Sequence, residues 1–325
     1  IAFVGRNGEG KTTLVKMIMG EMKHVAVAQK KEAGQLLNEF KLFVENKFEN
    51  LQKTLGNQQP EKSNSIDLTL PGDPLPLGSR HPVTLMKNRI VSIFQRLGFA
   101  IAEGPEIEDD WHNFSALNFP PNHPARDMQD TFFIEAGDRG NNPILMRTHT
   151  SPGQIHAMRE YAAMNPQDPP PIRIALPGMC FRYEQITARS EIQFNQVEGL
   201  VVGENINFAD LKGTLIDFTH RMFGQNARTR FRASYFPFTE PSAEMDVKCF
   251  VCGGKGCGVC KNSGWLEILG CGMVHPVVLQ NGGYDPKIYS GFAWGMGPER
   301  QLMLRNKIND IRYFWGNDVR FLEQF

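Results

Sequence analysis

The sequence predicts an α+β fold: an antiparallel β-sheet flanked by helices, with an N-terminal helical arm. Three observations lead there. Short strand candidates recur at 172–175, 180–183, 196–202, 234–238 and 265–270, separated by turn residues rather than by regular helices, and such spacing favours an antiparallel sheet over a doubly wound parallel one. After Pro82, apolar residues follow at Met86, Ile90, Ile93, Phe94 and Leu97 and stop at Gly98, the marks of a helix with a proline start and a glycine end. Upstream, Leu37, Phe40, Val44, Phe48, Leu51 and Leu55 recur three or four apart, giving one seam of an amphipathic helix over 25–55.

Composition excludes several function classes. The chain has 325 residues, 41% hydrophobic and 22% charged, unlike a disordered, collagenous or coiled-coil chain. Lys and Arg number 35, as do Asp and Glu, so the total points to neither nucleic acid nor an acidic membrane, although balance can hide a local basic face. No stretch approaches the ~20 apolar residues of a membrane span. Residues 1–5 are too short for a secretion signal and lack its basic flank. A soluble, cytoplasmic protein with no membrane partner is expected. Ile1 stands in the first position instead of Met, so the chain is expected to begin inside a longer reading frame.

In chain order, residues 1–20 read as a strand, a glycine-rich turn and a helix start, and Gly5 to Thr12 match the phosphate-loop spacing GxxxxGKT. Residues 22–56 carry the arm helix. The polar, breaker-rich run 57–65 is a linker, and 66–325 is one main domain without repeats. Within it, the helix after Pro82 gives way to an extended stretch, 99–107, broken by Gly104 and Pro105.

Chemistry concentrates in two places. Residues 178–184 lead through a polar loop into 194–199. In strands, the two-residue period puts Arg182 with Glu184, and Phe194 with Gln196 and Glu198. Two adjacent strands then offer a cation, two carboxylates, an amide and a ring to one cleft. A guanidinium grips phosphate in a fork, while carboxylates hold an ammonium group or magnesium, so the set suits a zwitterion plus a nucleotide. A surface ladder of salt bridges is the alternative for this hairpin by itself. Near the C-terminus, 291–300 joins a glycine-rich strand to a helix whose first turn holds Arg300. Gly291, Gly295 and Gly297 permit close approach to the backbone; a tight packing joint is the alternative there.

Together these segments resemble the signature motifs of class II aminoacyl-tRNA synthetases, and the surrounding words narrow the resemblance to the alpha subunits of bacterial phenylalanyl-tRNA synthetases. The first motif is similar to the helix ending at Gly98 with Gly104 to Glu108. The second is similar to Phe181-Arg182-Tyr183-Glu184 through Glu198, and the third to Gly295 through Arg300. Arg147-Thr148-His149-Thr150-Ser151-Pro152, Tyr235 through Pro241, Leu269 through Pro276 and the ending Phe321 to Phe325 are further family words, and the resemblance covers 22–325.

The resemblance implies a class II catalytic fold, ATP-dependent activation of L-phenylalanine and its transfer to tRNA(Phe). It also implies Mg2+ as cofactor and a beta subunit as partner in an α2β2 heterotetramer. Arg182, Glu184 and Arg300 would be the catalytic set: Arg182 on the ATP α-phosphate and the substrate carboxylate, Glu184 in the ATP site, Arg300 on the γ-phosphate. Adenine would stack between Phe194 and Arg300, and Glu240 would bind Mg2+ at the contact with the beta subunit. Gln196, Glu198 and Ser151 would hold the ammonium group, with His149 near the carboxylate. Phe236 and Phe238 would meet the substrate ring, and Ala293 would floor its pocket and exclude tyrosine. Ordinary core is the alternative for each Phe. No side-chain base is needed, because the attacking carboxylate is already ionised and positioning carries the rate.

Four of the six cysteines form two CxxC steps, Cys249 with Cys252 and Cys257 with Cys260. One structural Zn2+ held by four thiolates is expected, with reduced thiols in a hairpin insertion, 249–260, as the alternative. Cys180 and Cys271 are expected to be packing residues.

The chain departs from the family at its start. Residues 1–21 look like an ABC-type ATPase phosphate loop, but no later acidic strand or ABC signature completes it. The segment is read as a non-functional fusion fragment or an artefact of gene prediction. It stands in place of the first helix of the family's coiled-coil arm, so the seam over 37–55 would lack its partner and fray or self-associate. Transfer to tRNA is then more vulnerable than adenylate formation. Phe133 stands where many members have Trp, and Ser190 where a His is common. Two other function classes stay open at this point: a non-catalytic class II synthetase-like binding protein, and a P-loop NTPase with an accessory domain.

Overall fold

The computed structural model describes residues 30–56, 72, 78–122, 131–134 and 143–325. The segment 1–21, the start of the arm helix and the linker 57–65 lie outside the described residues. The chain divides into two compact units between Pro76 and Leu77. In the first, α1 (Lys30–Gly56) is a helix of 27 residues. Its seam residues Phe40, Phe48 and Leu51 are exposed, as are Leu36, Leu42 and Phe43.

The strands of the second unit are β1 (Ala100–Ile101), β2 (Ile107–Asp109), β3 (Ile144–Met146), β4 (Ile172–Phe181), β5 (Gln193–Glu204), β6 (Thr229–Phe236), β7 (Thr239–Lys248), β8 (Trp265–Val274) and β9 (Tyr289–Met296). Seven of them form one sheet in the order β1-β4-β5-β9-β8-β7-β6, and β2 pairs with β3 separately. The expected antiparallel pairing holds throughout the large sheet except at its edge, where β1 and β4 are parallel. A long crossover joins β1 to β4, and such a connection permits parallel pairing where a hairpin does not. The helices are α2 (Pro82–Arg96), α3 (Asp110–Asn113), α4 (Pro152–Met164), α5 (Phe208–Phe223), α6 (Pro276–Asn281), α7 (Pro298–Asn306) and α8 (Val319–Leu322).

The two-residue period of β5 sorts its side chains between two cores. Val197 and Val201 face a core built with Ile90, Phe94, Leu215, Phe218 and Trp294 under α2 and α5. There the Phe94 ring stacks on Trp294 at 3.8 Å and on Phe218 at 4.8 Å. Full burial of each such side chain contributes about 1.5–3 kcal/mol. Gly199 lies opposite Trp294 in the β5–β9 ladder, and the indole packs where its Cβ would stand. Leu200 and Val202 face the other way, onto Ile155, Met158, Val278 and Leu279 of α4 and α6. Phe194, Gln196 and Glu198 have the same parity as Leu200, and their stretch of that face is left open.

Three strand expectations are corrected. The candidates 172–175 and 180–183 are one strand, β4, ending at Phe181. Pro177 reads as a breaker, but β1 pairs with β4 only at Ile174 and Ala175, so beyond them the missing N–H has no ladder partner to lose. The candidate 234–238 starts earlier, at Thr229, and stops at Phe236. β7 has no counterpart among the expected strands; its stretch carries Glu240, Pro241, Glu244 and Asp246. Its charges are neutralised across the ladder, where Arg232 of β6 donates to Glu244 (2.6 Å) and Arg230 and Arg232 to Asp246 (2.8 and 2.7 Å).

Candidate active site

Two adjoining cavities open on the free stretch of β5. The first, of about 350 Å³, is lined by Phe119, His149, Ser151, Gln154, Arg182, Gln196, Glu198, Tyr235, Phe236, Phe238, Glu244, Glu267, Ala293 and Gly295, among others, a volume within the ~300–1,000 Å³ typical of small-ligand sites. The second, of about 260 Å³, is lined by Arg182, Glu184, Arg189, Ser190, Glu191, Phe194, Gly297, Glu299, Arg300 and Ile311. Arg182 belongs to both.

One end of the first cavity is polar. Ser151, at the start of α4, donates from Oγ to Glu198 Oε2 at 2.7 Å, and Gln154 donates from Nε2 to the same oxygen at 2.7 Å. Glu198 is buried. Burial lifts its carboxyl above the usual range, against the opposing pull of these donors and of Arg147, so the pocket favours a cationic ligand that would restore the ionised form. His149 is buried with neither ring nitrogen hydrogen-bonded to a described residue. Burial, reinforced by Arg182 and Arg147, pushes it down to about 3, which leaves a neutral imidazole between Phe119 and Phe238.

The other end is apolar. The rings of Phe236 and Phe238 stack at 5.8 Å with planes 9° apart, Phe119 lies 5.8 Å from Phe238, and Ala293 of β9 contributes only a methyl. These residues border a space suited to a flat ring.

The second cavity is cationic. β4 ends at Phe181, so Arg182 and Glu184 lie in the following loop and do not share a strand face as expected; Glu184 N donates back to Arg182 O at 2.9 Å, a turn that strand pairing excludes. Both still line this cavity. Arg182 Nε donates to Thr148 O at 3.1 Å, Nη1 is 4.0 Å from Glu184, and its Cζ lies 4.8 Å from the centroid of the Phe194 ring, a cation–π contact. Arg300 is in the first turn of α7, as expected, and its Nε donates to Glu267 O at 3.1 Å. Two guanidinium groups from distant segments thus face one small space, an arrangement fit for a polyphosphate.

Three residues without an assigned role in the sequence reading support these walls. Gln154 follows Ser151 by three residues at the start of one helix, and that spacing was the available signal. Arg147 is buried and donates to the carbonyls of Met179 (2.7 Å), Gly104 (2.8 Å) and Pro105 (3.1 Å); nothing in the local sequence announces this. Glu299 is buried and accepts from Asn195 N (2.7 Å) and Asn195 Nδ2 (2.8 Å), fastening α7 to β5 between Arg300 and Phe194.

Glu240 is not brought to either cavity. Its side chain is 78% exposed and 3.5 Å from His275 Nε2. The cysteines do converge: Sγ atoms of Cys249 and Cys257 are 3.9 Å apart, of Cys252 and Cys260 3.8 Å, and of Cys257 and Cys260 3.6 Å. Those spacings match the ~3.8 Å edge of a tetrahedron with ~2.3 Å metal–sulfur bonds. Cys180 and Cys271 are buried, and burial pushes Cys271 up to about 12, as suits packing residues. Phe133 is exposed beside Leu145, and Ser190 lines the second cavity. Among the described residues no helix is long and apolar enough to cross a membrane.

The family model described as the tRNA synthetases class II core domain (F) matches residues 65–325, and that of the aminoacyl tRNA synthetase class II N-terminal domain matches residues 2–63, a span that takes in the glycine-rich segment. The phenylalanine–tRNA ligase alpha subunit of Roseiflexus sp. strain RS-1 is 57% identical over 273 residues, covering 84% of this chain and 77% of the relative. That of Roseiflexus castenholzii is 51% identical across 100% of this chain and 91% of the relative. That of Herpetosiphon aurantiacus is 57% identical over 275 residues, 85% of this chain and 77% of the relative. With a core-domain match over most of its length and relatives of this identity, the chain belongs to the phenylalanine–tRNA ligase alpha-subunit family of class II tRNA synthetases.

Proposed function

We propose that this ligase activates L-phenylalanine with ATP and transfers it to tRNA(Phe), as the alpha chain of an α2β2 enzyme in the cytoplasm. The carrying observation is that Arg182 lines both cavities. In this reading the ring-bordered cavity receives phenylalanine, with its ammonium group on Glu198, Ser151 and Gln196 and its carboxylate toward Arg182 and His149. The triphosphate lies in the cationic cavity, under Arg182 and Arg300, with Glu184 at its border and adenine against Phe194. Arg182 neutralises the carboxylate and the α-phosphate it attacks, so like charges approach in line without a proton transfer. Glu299 positions Arg300 by holding α7 to β5.

Mg2+ bound with the nucleotide supplies further neutralisation of phosphate charge. Glu240 fits a Mg2+ site only as one ligand among several oxygens, and its exposure suits a site completed by the beta subunit. The four thiolates suit Zn2+: backbone N–H groups of Gly256, Cys257 and Gly264 donate to Cys252 and Cys260 sulfurs at 3.1–3.3 Å, which favours the charged form. In this scheme residues 1–21 serve no nucleotide, 22–56 is an arm helix, 57–65 a linker and 66–325 the catalytic domain.

Phenylalanine-dependent exchange of pyrophosphate into ATP, with beta subunit supplied, tests the reading. Exchange that ignores phenylalanine, or ATP hydrolysis abolished by Lys11→Ala, would favour a P-loop NTPase instead. The pH dependence is also fixed. Ionised Glu198 is the form that holds an ammonium group, so kcat/KM for phenylalanine falls with acid through a limb above the ordinary carboxylate range, and His149, already neutral, adds no limb near 6.5. A profile flat from pH 4 to 7 contradicts this assignment. Zinc in the cysteine cluster is tested by metal analysis of wild type beside Cys252→Ser: the substitution is expected to remove one equivalent and to lower Tm.

A further inference from the structure

We propose that Glu108, His112 and His156 form a second metal site, for a divalent first-row transition ion of the zinc class, separate from the cysteine knuckle and from both cavities. The three residues come from β2, α3 and α4, and one ligand atom of each lies within 4.8 Å of the other two. Glu108 is 4% exposed, and both its carboxylate oxygens face His156 Nε2, at 2.9 and 3.1 Å. The His112 and His156 rings stack 4.2 Å apart. Each imidazole has its own carboxylate, Glu108 for His156 and Asp109 for His112, and the two pairs converge so that Glu108, His112 and His156 share one point.

Asp109 supplies an independent observation. Its Oδ1 lies 2.8 Å from His112 Nδ1 and 2.8 Å from His112 N. An ionised carboxylate has no proton to give, so Nδ1 carries the hydrogen, and it is Nε2 whose lone pair would bind an ion. Carboxylates hold metal-ligating histidines in this way, fixing tautomer and ring direction. Two imidazoles and one carboxylate are a donor set for zinc, cobalt(II) or nickel(II), whereas calcium and magnesium want oxygen ligands. The His112 and His156 side chains are 21% and 38% exposed, which leaves access for the ion and room for water to complete its shell. A bound ion would join β2 and α3 to α4, the helix that presents Ser151 and Gln154 to Glu198.

The test uses the full chain with its knuckle loaded with zinc, then titrated with cobalt(II). Wild type is expected to take up one further equivalent, with weak d–d bands and no thiolate charge-transfer band, and to gain thermal stability. His112→Gln and His156→Gln should each abolish that uptake; glutamine at 156 can still donate to Glu108, so folding should survive, and circular dichroism checks it in both. Asp109→Asn should weaken binding 10–100-fold, a change that a merely structural ion pair would not produce. Equal cobalt uptake by wild type and both histidine variants overturns the proposal, as does no uptake beyond the knuckle.

Discussion

Replacing Arg182 with alanine is expected to lower kcat/KM for phenylalanine activation by about 10³-fold or more, the scale at which preorganised cationic groups act in phosphoryl chemistry. Its guanidinium is held by the Thr148 carbonyl and lies over Phe194, so it is oriented before any ligand arrives. It is also the cation shared by the two cavities. Arg182→Lys should rescue little, because a point charge cannot fork between two anions. Arg300→Ala should act differently. That side chain is exposed at the rim and belongs to the second cavity alone, so its loss should appear first in KM for ATP. Pyrophosphate exchange measured against each substrate separates these outcomes; equal, modest losses for the two arginines would contradict the distinction.

Glu198→Gln is expected to raise KM for phenylalanine by about 150- to 5,000-fold, the scale of about 3–5 kcal/mol for removing one partner of a buried ion pair, while KM for ATP changes little. Stability should move the other way. Burial raises the Glu198 carboxyl, so the folded state binds its proton more tightly than the unfolded state does. The carboxylate therefore destabilises the fold as pH rises through that window, and the glutamine variant should melt no lower than wild type at neutral pH. A variant that loses both activity and Tm would show instead that Glu198 is a structural acid.

Much of this site was legible because its residues sit in short words with a fixed local geometry. The strand period alone put Phe194, Gln196 and Glu198 on one face, and the glycine-rich strand followed by Pro298 put Arg300 in a first helical turn. Other features depended on contacts that sequence does not display. β7 is missing from the expected strands, and its acidic residues find their partners only in the fold, Asp246 beside Arg230 and Glu244 beside Arg232. Arg147 has no assigned role in the sequence, yet it is buried against three carbonyl groups. The end of β4 at Phe181 moved Arg182 from a strand face into a loop, where Thr148 and Phe194 hold it. In each case a residue many positions away decides the outcome.

The bridging position of Arg182 is tested most directly by the structure of a complex with a non-hydrolysable phenylalanyl-adenylate analogue. The analogue's ring should lie between the Phe236–Phe238 pair and Ala293, its adenine near Phe194, and its acyl-phosphate linkage against Arg182 where the cavities meet. An aromatic ring bound in the cationic cavity, or a linkage with Arg182 turned away from it, would contradict the account.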